Sequence, residues 1–504
     1  MSQRKSGAVL GYINIGLKNF VNLLYTPLLL HYLGQGDYGV FQMTNSVVFS
    51  LTILSMGFYG AYVRFYSRLR AKADDNGIRR LNGIYFTLYS VVAALAVIIG
   101  GILTVNTQRI FSGGLTASEV ALCKDLMVIM VINVAVTFLS SPFDAYIVSH
   151  ERFVFQQSRQ IFLNVCTPFL ALGLLFVGMG AIGVAIAQLT VSVVLLILNM
   201  RYAYFTLHMR FLFRQFDFGL LRAVGVFSFW IFLNQITDLV NNQVPNFLLG
   251  ALAGASTVAV FAIASQIRNL FFSMSTILSN LFVPLINRIV AGGGSERQLT
   301  ELMTRVGRYQ MIIFWYIFGG YIVLGRYFIR LWAGSQNASA FWLSIVMIAP
   351  VMVPLVQNTG IEIQRAQNQH KTRSVVYVIT ALLNIVFSLV LIPRWGYWAP
   401  TVGYLLSMVI GPGLFMNWFY QVRIGLDMFY FWRKQMPIIL MSMALTALLC
   451  VAVFFFPITG LVAFAAWGLA YSVLFAGLAW KLVMNGEERG TVLRRIGKGA
   501  DSIL

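Results

Sequence analysis

Apolar residues gather into fourteen stretches long enough to cross a bilayer, at about 8–33, 40–63, 84–105, 125–148, 158–177, 181–200, 223–250, 257–287, 309–331, 341–361, 374–392, 399–420, 438–456 and 460–480. Each predicts a transmembrane helix. The first carries a polar stripe. Asn14, Lys18 and Asn22 recur every four residues, which at 3.6 residues per turn sets them on one face of an otherwise lipid-compatible cylinder. Such a face must meet protein or water, because lipid offers its polar groups nothing to bond.

The stripe recurs 220 residues later as Asn234, Asp238 and Asn242. Leu28, Leu29, Gly34, Val40 and Phe41 match Leu248, Leu249, Gly254, Val260 and Phe261 at the same offset, and Leu163-Asn164 matches Leu383-Asn384. A duplication follows. The expected fold class is an all-α polytopic membrane protein with 14 transmembrane helices, two pseudo-symmetric six-helix bundles and two C-terminal helices. Its expected parts are an N-terminal lobe at 1–200, a cytoplasmic interfacial linker at 201–222, a C-terminal lobe at 223–422, and helices 13 and 14 with a basic tail at 423–504.

Composition agrees: 59% of the 504 residues are hydrophobic and 10% charged, which excludes a soluble enzyme. A net charge of +20 would suggest nucleic acid in a soluble chain, but here it follows topology. Of the 36 Lys and Arg, 29 fall in segments on the side of the N-terminus, five on the other side, and two, Lys18 and Arg268, inside the spans. By the positive-inside bias both termini are cytoplasmic, and no nucleic-acid partner is needed. The opening MSQRKSG and the run after it read as a retained first helix, since the run is too long for a signal peptide and has no small-residue cleavage site.

Cys123, Cys166 and Cys450 show no metal-binding or disulfide spacing, so no metal and no cofactor is expected. Cys123 is placed in the outer loop 106–124. His31, His150, His208 and His370 sit near span ends and form no catalytic set, so no catalytic residue is assigned. Gly292–Gly294 reads as a flexible connector, the 201–222 linker as a segment lying in the headgroup region, and the Asn337-Ala338-Ser339 sequon carries little weight. Asp144 and Glu362 are expected to pair locally with Arg152 and Arg365, and Arg326 and Arg330 with Trp332 to anchor the outer end of span nine.

Transport is the better-supported chemistry. Asn234, Gln235, Asn241, Asn242, Gln243 and Asn246, with the carboxylate of Asp238 among them, line span seven with amides, which hydrogen-bond sugar hydroxyls without demanding charge. Gln266, Arg268 and Asn269 add to them in span eight, Gln42 and Asn45 in span two, and Gln357 and Asn358 in span ten. Lys18 and Arg268 are costly inside a membrane and suit an anionic group such as a phosphate, although neutralisation of Asp238 is an open alternative for each of them. The repeat puts Lys18 and Asp238 at similar depth, where they would pair in one state and leave Asp238 to take up a proton or sodium ion in another.

The pattern N-x-x-x-K-N-x-x-N, the following TPLLLHYLGQGDYGVFQ, GMGAIGVAIAQL at span six and RAQNQHKTR after span ten resemble the bacterial polysaccharide flippases of the Wzx type. These belong to the multidrug/oligosaccharidyl-lipid/polysaccharide exporter superfamily. The resemblance implies a V-shaped pair of lobes around a cationic cavity in the bacterial cytoplasmic (inner) membrane. It implies alternating-access transfer of an undecaprenyl-diphosphate-linked oligosaccharide to the outer leaflet, for O-antigen, capsule or a similar surface polysaccharide. A polysaccharide polymerase and a chain-length regulator are the implied partners, besides membrane lipids. Multidrug antiporters and the lipid II flippase of the same superfamily remain alternatives, as does a membrane-embedded glycosyltransferase or polymerase.

Overall fold

Helix follows helix, with no strand among the described residues, in a computed structural model that describes residues 3–55, 57–213, 218–280, 282–367 and 369–490. The chain forms two compact units, Met1–Ile263 with Tyr377–Tyr404, and Ala264–Val376 with Leu405–Leu504. The first holds α1 (Gln3–Ser50), α2 (Phe58–Ala71), α3 (Asp75–Val105), α4 (Thr107–Phe111), α5 (Ala117–Ser149), α6 (Phe153–Phe176), α7 (Gly180–Arg201), α8 (Phe218–Asn242), α9 (Val244–Leu252) and the start of α10 (Ala255–Asn280). The second holds the rest of α10, then α11 (Val283–Ala291), α12 (Glu296–Ala333), α13 (Ala340–Val356) and α14 (Asn358–Ala366). After α15 (His370–Trp395) and α16 (Trp398–Met408), largely in the first unit, the second ends with α17 (Met416–Phe419), α18 (Met428–Phe455) and α19 (Leu461–Leu478).

Among the described residues, eleven helical stretches are long and apolar enough to cross a membrane, or twelve if α13 and α14, bent by 42°, count as one. Fourteen crossings were expected, and several of the expected spans are bent or interrupted. Expected spans one and two fall in a single 59-residue stretch, Ile13–Ala71. At 1.5 Å per residue that is about 90 Å, three times the hydrocarbon core, so it does not cross once. Gly34, at φ 74° and ψ 174°, breaks α1 between the two, and a 3₁₀ turn at Leu51–Ser55 with Gly57 at φ 71° interrupts it again. Expected span seven is divided between α8 and α9, where Pro245 lacks the N–H that would bond the carbonyl of Asn241.

The repeat leaves a geometric trace in the first unit. Gly254, the counterpart of Gly34, also has positive φ, at 90°. Leu29 and Leu249, Val40 and Val260, and Phe41 and Phe261 are buried in both copies. The first unit's core is made where α5 packs on α3 and α7, and α1 on α5, α6 and α9. In the second, α12 packs on α13, α18 and α19, with Val323, Leu445, Leu449, Tyr471 and Phe475 between them.

Helix ends are fixed by caps. Asp74 accepts from the Gly77 amide, Asp427 from the Tyr430 amide, and Thr116 with Glu119 and Ser295 with Gln298 form capping boxes. One of these caps corrects an expectation. The Thr116 box starts α5 at Ala117, so Cys123 is not in a loop: it lies in the helix, fully buried, and accepts a bond from Thr44. Gly292–Gly294 is a tight turn tied by Gly293 N–H to Val290 O (3.2 Å) and Gly294 N–H to Ile289 O (2.8 Å), closed by the Ser295 cap. Asn337 is buried, its amide donating to the Ala333 carbonyl, so it presents no acceptor for a glycan.

Residues 201–213 of the expected linker pack on protein. The Leu212 N–H bonds the Arg79 carbonyl, Asn82 bonds the Arg210 carbonyl, Tyr146 bonds the Leu207 carbonyl, and Phe211 lies against Phe86 and Phe143.

Candidate functional site

Along the polar face of α1 the three expected ligands have different surroundings. Asn14 is tied to α6, accepting from Asn164 Nδ2 at 2.7 Å and donating to Gln157 Oε1 at 3.2 Å. Lys18 and Asn22, one and two turns on, are exposed. The counterpart of Asn164, Asn384, donates to Asn241 on α8 at 3.3 Å, so both copies of the repeat use this asparagine to join two helices by amide bonds. The side chains of Asn234 and Asp238 lie outside the described residues.

The first unit contains a cavity of about 370 Å³, with both amide and apolar walls, where two helices are broken together. Gln235, Leu239, Asn242 and Gln243 line it from the end of α8 and the α8–α9 break, Phe49 from the end of α1, and Thr52, Ile53 and Ser55 from the irregular turn after α1. Gln235 Oε1 is buried with no partner among the protein's described atoms, an acceptor that a hydroxyl donor would satisfy. Non-helical backbone inside apolar spans is tolerated where it lines a wet cavity or is buried in protein, and discontinuous helices are where transporters put their substrates. Of the amides expected to bond sugar in span seven, Gln235, Asn242 and Gln243 lie in this wall.

Arg268 and Gln266 belong to the second unit. Arg268 is 1% exposed, with its Nε and Nη2 donating to Asn269 Oδ1 at 3.3 and 3.2 Å. Gln266 is half-buried. The amides expected in span ten serve the bend between α13 and α14. Gln357 donates to Asn417 at 2.8 Å and Asn358 to Ser275 Oγ at 2.7 Å, while Ser275 in turn bonds the Leu355 carbonyl.

Glu362 pairs with Arg365 at 2.7 Å, as expected. Asp144 does not pair with Arg152. It pairs with Arg159, two turns further into α6, whose guanidinium also donates to Asn199 of α7; Asn199 completes the set by donating to Ser140 Oγ at 2.8 Å. This network borders a cavity of about 140 Å³ lined by Thr137, Ser141, Gln160 and Ser192. An ion pair inside apolar helices is costly to desolvate and marks a position that the fold over-determines. The 15-residue separation of Asp144 and Arg159 spans the α5–α6 turn, which was the one signal of it in the sequence.

No group of three or more His, Cys, Asp or Glu positioned to hold a metal ion occurs among the described residues. At the C-terminal cap of α5, His150 bonds Tyr66 and the Tyr146 carbonyl, and burial lowers its pKa from the ordinary value, with Arg70 and Arg152 acting in the same direction.

Comparison with known proteins places these features in context. The family described as "Polysaccharide biosynthesis protein" matches residues 5–290. The uncharacterized membrane protein EpsK of Bacillus subtilis (strain 168) is 23% identical over 495 residues, 96% of each chain. Among solved structures, the lipid II flippase MurJ in an inward closed conformation has a TM-score of 0.72 at 12% identity, covering 94% of this chain and 98% of its own. An inward-facing multidrug resistance MATE family transporter of the MOP superfamily has a TM-score of 0.62 at 14% identity, covering 82% and 94%. At these identities the likeness is one of fold: an all-helical, multi-pass membrane transporter fold.

Proposed function

The chain belongs to the polysaccharide biosynthesis protein family, and on that premise we propose that it is a flippase. It moves an undecaprenyl-diphosphate-linked oligosaccharide from the cytoplasmic to the outer leaflet of the bacterial inner membrane by alternating access. The observation that carries this reading is the amide-lined cavity at the broken helices of the first unit, whose unsatisfied Gln235 acceptor suits a sugar hydroxyl. The fold shared with a lipid II flippase supports it, as does the fully buried guanidinium of Arg268, which suits a diphosphate by forked bonding. Lys18, exposed on the polar face of α1, supplies a second cation, and Asp238 is the proposed site of proton or sodium coupling.

In this reading the fourteen spans of the sequence hold, both termini are cytoplasmic, and transport involves no covalent chemistry. A polymerase and a chain-length regulator act on the flipped product. The reading is tested by Arg268→Ala, which should abolish export at normal membrane levels, with Arg268→Lys restoring only part because an ammonium cannot fork. Full export by Arg268→Ala would remove Arg268 from the substrate path.

A further inference from the structure

Two cavities of the second unit meet at one residue, Arg433. One, of about 750 Å³, is an apolar groove between α13, the π-helical turns around α17, and the start of α18. Leu414, Trp418, Phe429, Trp432 and Met436 form its walls. The other, of about 730 Å³, is a polar cleft between α12, α18 and the segment after α19. Along α18, Phe429, Trp432, Arg433 and Met436 follow helical spacing and share the groove face, while Tyr430, Lys434 and Pro437 turn toward the cleft. Arg433 lines both.

The charges of the cleft are unevenly matched. Glu488 binds Arg308 at 2.7 Å, and Arg308 also donates to the carbonyls of Lys434 and Val483, so that pair clamps three segments together and is fully used. Glu487 binds Arg305 at 2.6 Å and Glu301 binds Arg297 at 3.0 Å. Arg433 and Lys434 are both exposed and have no acid within ion-pair distance among the described residues. The groove walls beside them are exposed at the surface: Phe429 is 82% exposed and Leu414 67%. Trp432 is held in place by its indole N–H, which donates to Asn417 Oδ1 at 2.7 Å.

An apolar trough that ends on two unmatched cations and a pair of tryptophans fits one kind of occupant, an amphiphile with a negative head at the membrane–water boundary. We propose that the second unit binds an anionic glycerophospholipid of the surrounding bilayer. An acyl chain lies along Leu414, Phe429 and Met436, and the phosphate sits on Arg433 and Lys434 beside Tyr430. The guanidinium supplies forked donors and the ammonium a point charge. Direct exposure of the groove favours a resident bilayer lipid over the transported one. The site stands whether or not the chain is a flippase, because nothing in it depends on the amide cavity or on Arg268.

The test is native mass spectrometry of the full-length protein in detergent, titrated with dioleoyl phosphatidylglycerol and, separately, with dioleoyl phosphatidylcholine. One phosphatidylglycerol should bind tightly and saturably, and phosphatidylcholine roughly thirtyfold more weakly, as expected for two cations at the surface. Arg433→Ala with Lys434→Ala should erase that preference, Arg433→Lys with Lys434→Arg should keep it, and Leu414→Trp should weaken both lipids by filling the trough. Unchanged melting temperatures would show that these exposed substitutions leave the fold intact. Equal affinity for the two lipids, or an unaltered preference in the double alanine variant, would overturn the proposal. So would displacement of phosphatidylglycerol by equimolar undecaprenyl phosphate, which would make this a substrate site, or by inorganic phosphate, which would make it an anion site without a chain.

Discussion

Asn246 of α9 donates a 2.9 Å hydrogen bond to Ser46 of α1, and both side chains are buried. Ser46 follows the turn at Gly34 and Asn246 precedes the equivalent turn at Gly254, so the bond ties one repeat to the other inside the first unit. Around it the backbones are nearly in contact. A Cβ on Gly39 would stand 1.9 Å from the Ala255 carbonyl oxygen, and one on Gly250 would stand 1.9 Å from the Met43 sulfur. Small residues at such crossings let membrane helices gain packing energy that lipid cannot supply.

Gly39→Ala should therefore force this layer apart at a cost on the order of 2 kcal/mol, because the neighbour is backbone and cannot swing away. Export should fall with it if this layer closes the outer side of the cycle. Asn246→Ala and Ser46→Ala should each cost about 1–2 kcal/mol and the double variant less than their sum, since the two share one bond. Thermal melting and export of each variant check this; additive losses would show that the bond does not couple the segments.

The buried Asp144–Arg159 pair makes a second prediction. Asp144→Asn strands the guanidinium, whose side chain is only 5% exposed, and should lower stability by roughly 2–4 kcal/mol; the carboxylate is 25% exposed, so Arg159→Gln should cost less. The double variant should be more stable than Asp144→Asn alone. Melting temperatures of the three proteins decide it, and a double variant worse than both singles would mean that each residue acts through other partners.

A pH effect is expected at the C-terminal end of α5. Burial, aided by Arg70 and Arg152, lowers the His150 pKa, so below the ordinary histidine value of about 6.5 the unfolded chain binds more protons than the folded one. The stabilising contribution is complete above that pH, falls as pH drops through it, and levels off below the folded pKa. Melting of the wild type from pH 8 to 5 should show this loss, and His150→Gln should flatten it. An identical slope in the variant would assign the pH dependence to other groups.

Much of this was legible in the chain, and the remainder was hidden for identifiable reasons. The repeat was visible because Gly34 and Gly254 need the same positive φ and Leu29, Val40 and Phe41 the same burial as their counterparts. Cys123 was misplaced because hydropathy starts a helix at its first apolar run, whereas α5 starts at the Thr116–Glu119 box, whose first turns are polar. Arg159 was hidden because a charge near a span end reads as a loop residue, and its partner is fixed only once the α5–α6 turn has folded. The α1 stripe signalled polar neighbours but not which: Asn14 bonds α6, while Lys18 is exposed. The cavity beside Gln235 needed the breaks at Pro245 and Leu51–Ser55, which a search for continuous apolar spans passes over.

The central claim is movement of a finished lipid-linked oligosaccharide across the membrane, and the most direct measurement is of what accumulates without the protein, and on which side. In a deletion strain, lipid-linked intermediates should be extracted and their sidedness read in intact and permeabilised cells with an impermeant periodate label for sugars. The account predicts a complete repeat unit on the lipid carrier, labelled only after permeabilisation, with surface polymer lost and both restored by the wild-type gene but not by Arg268→Ala. An incomplete repeat unit, or a complete one already labelled in intact cells, would contradict it.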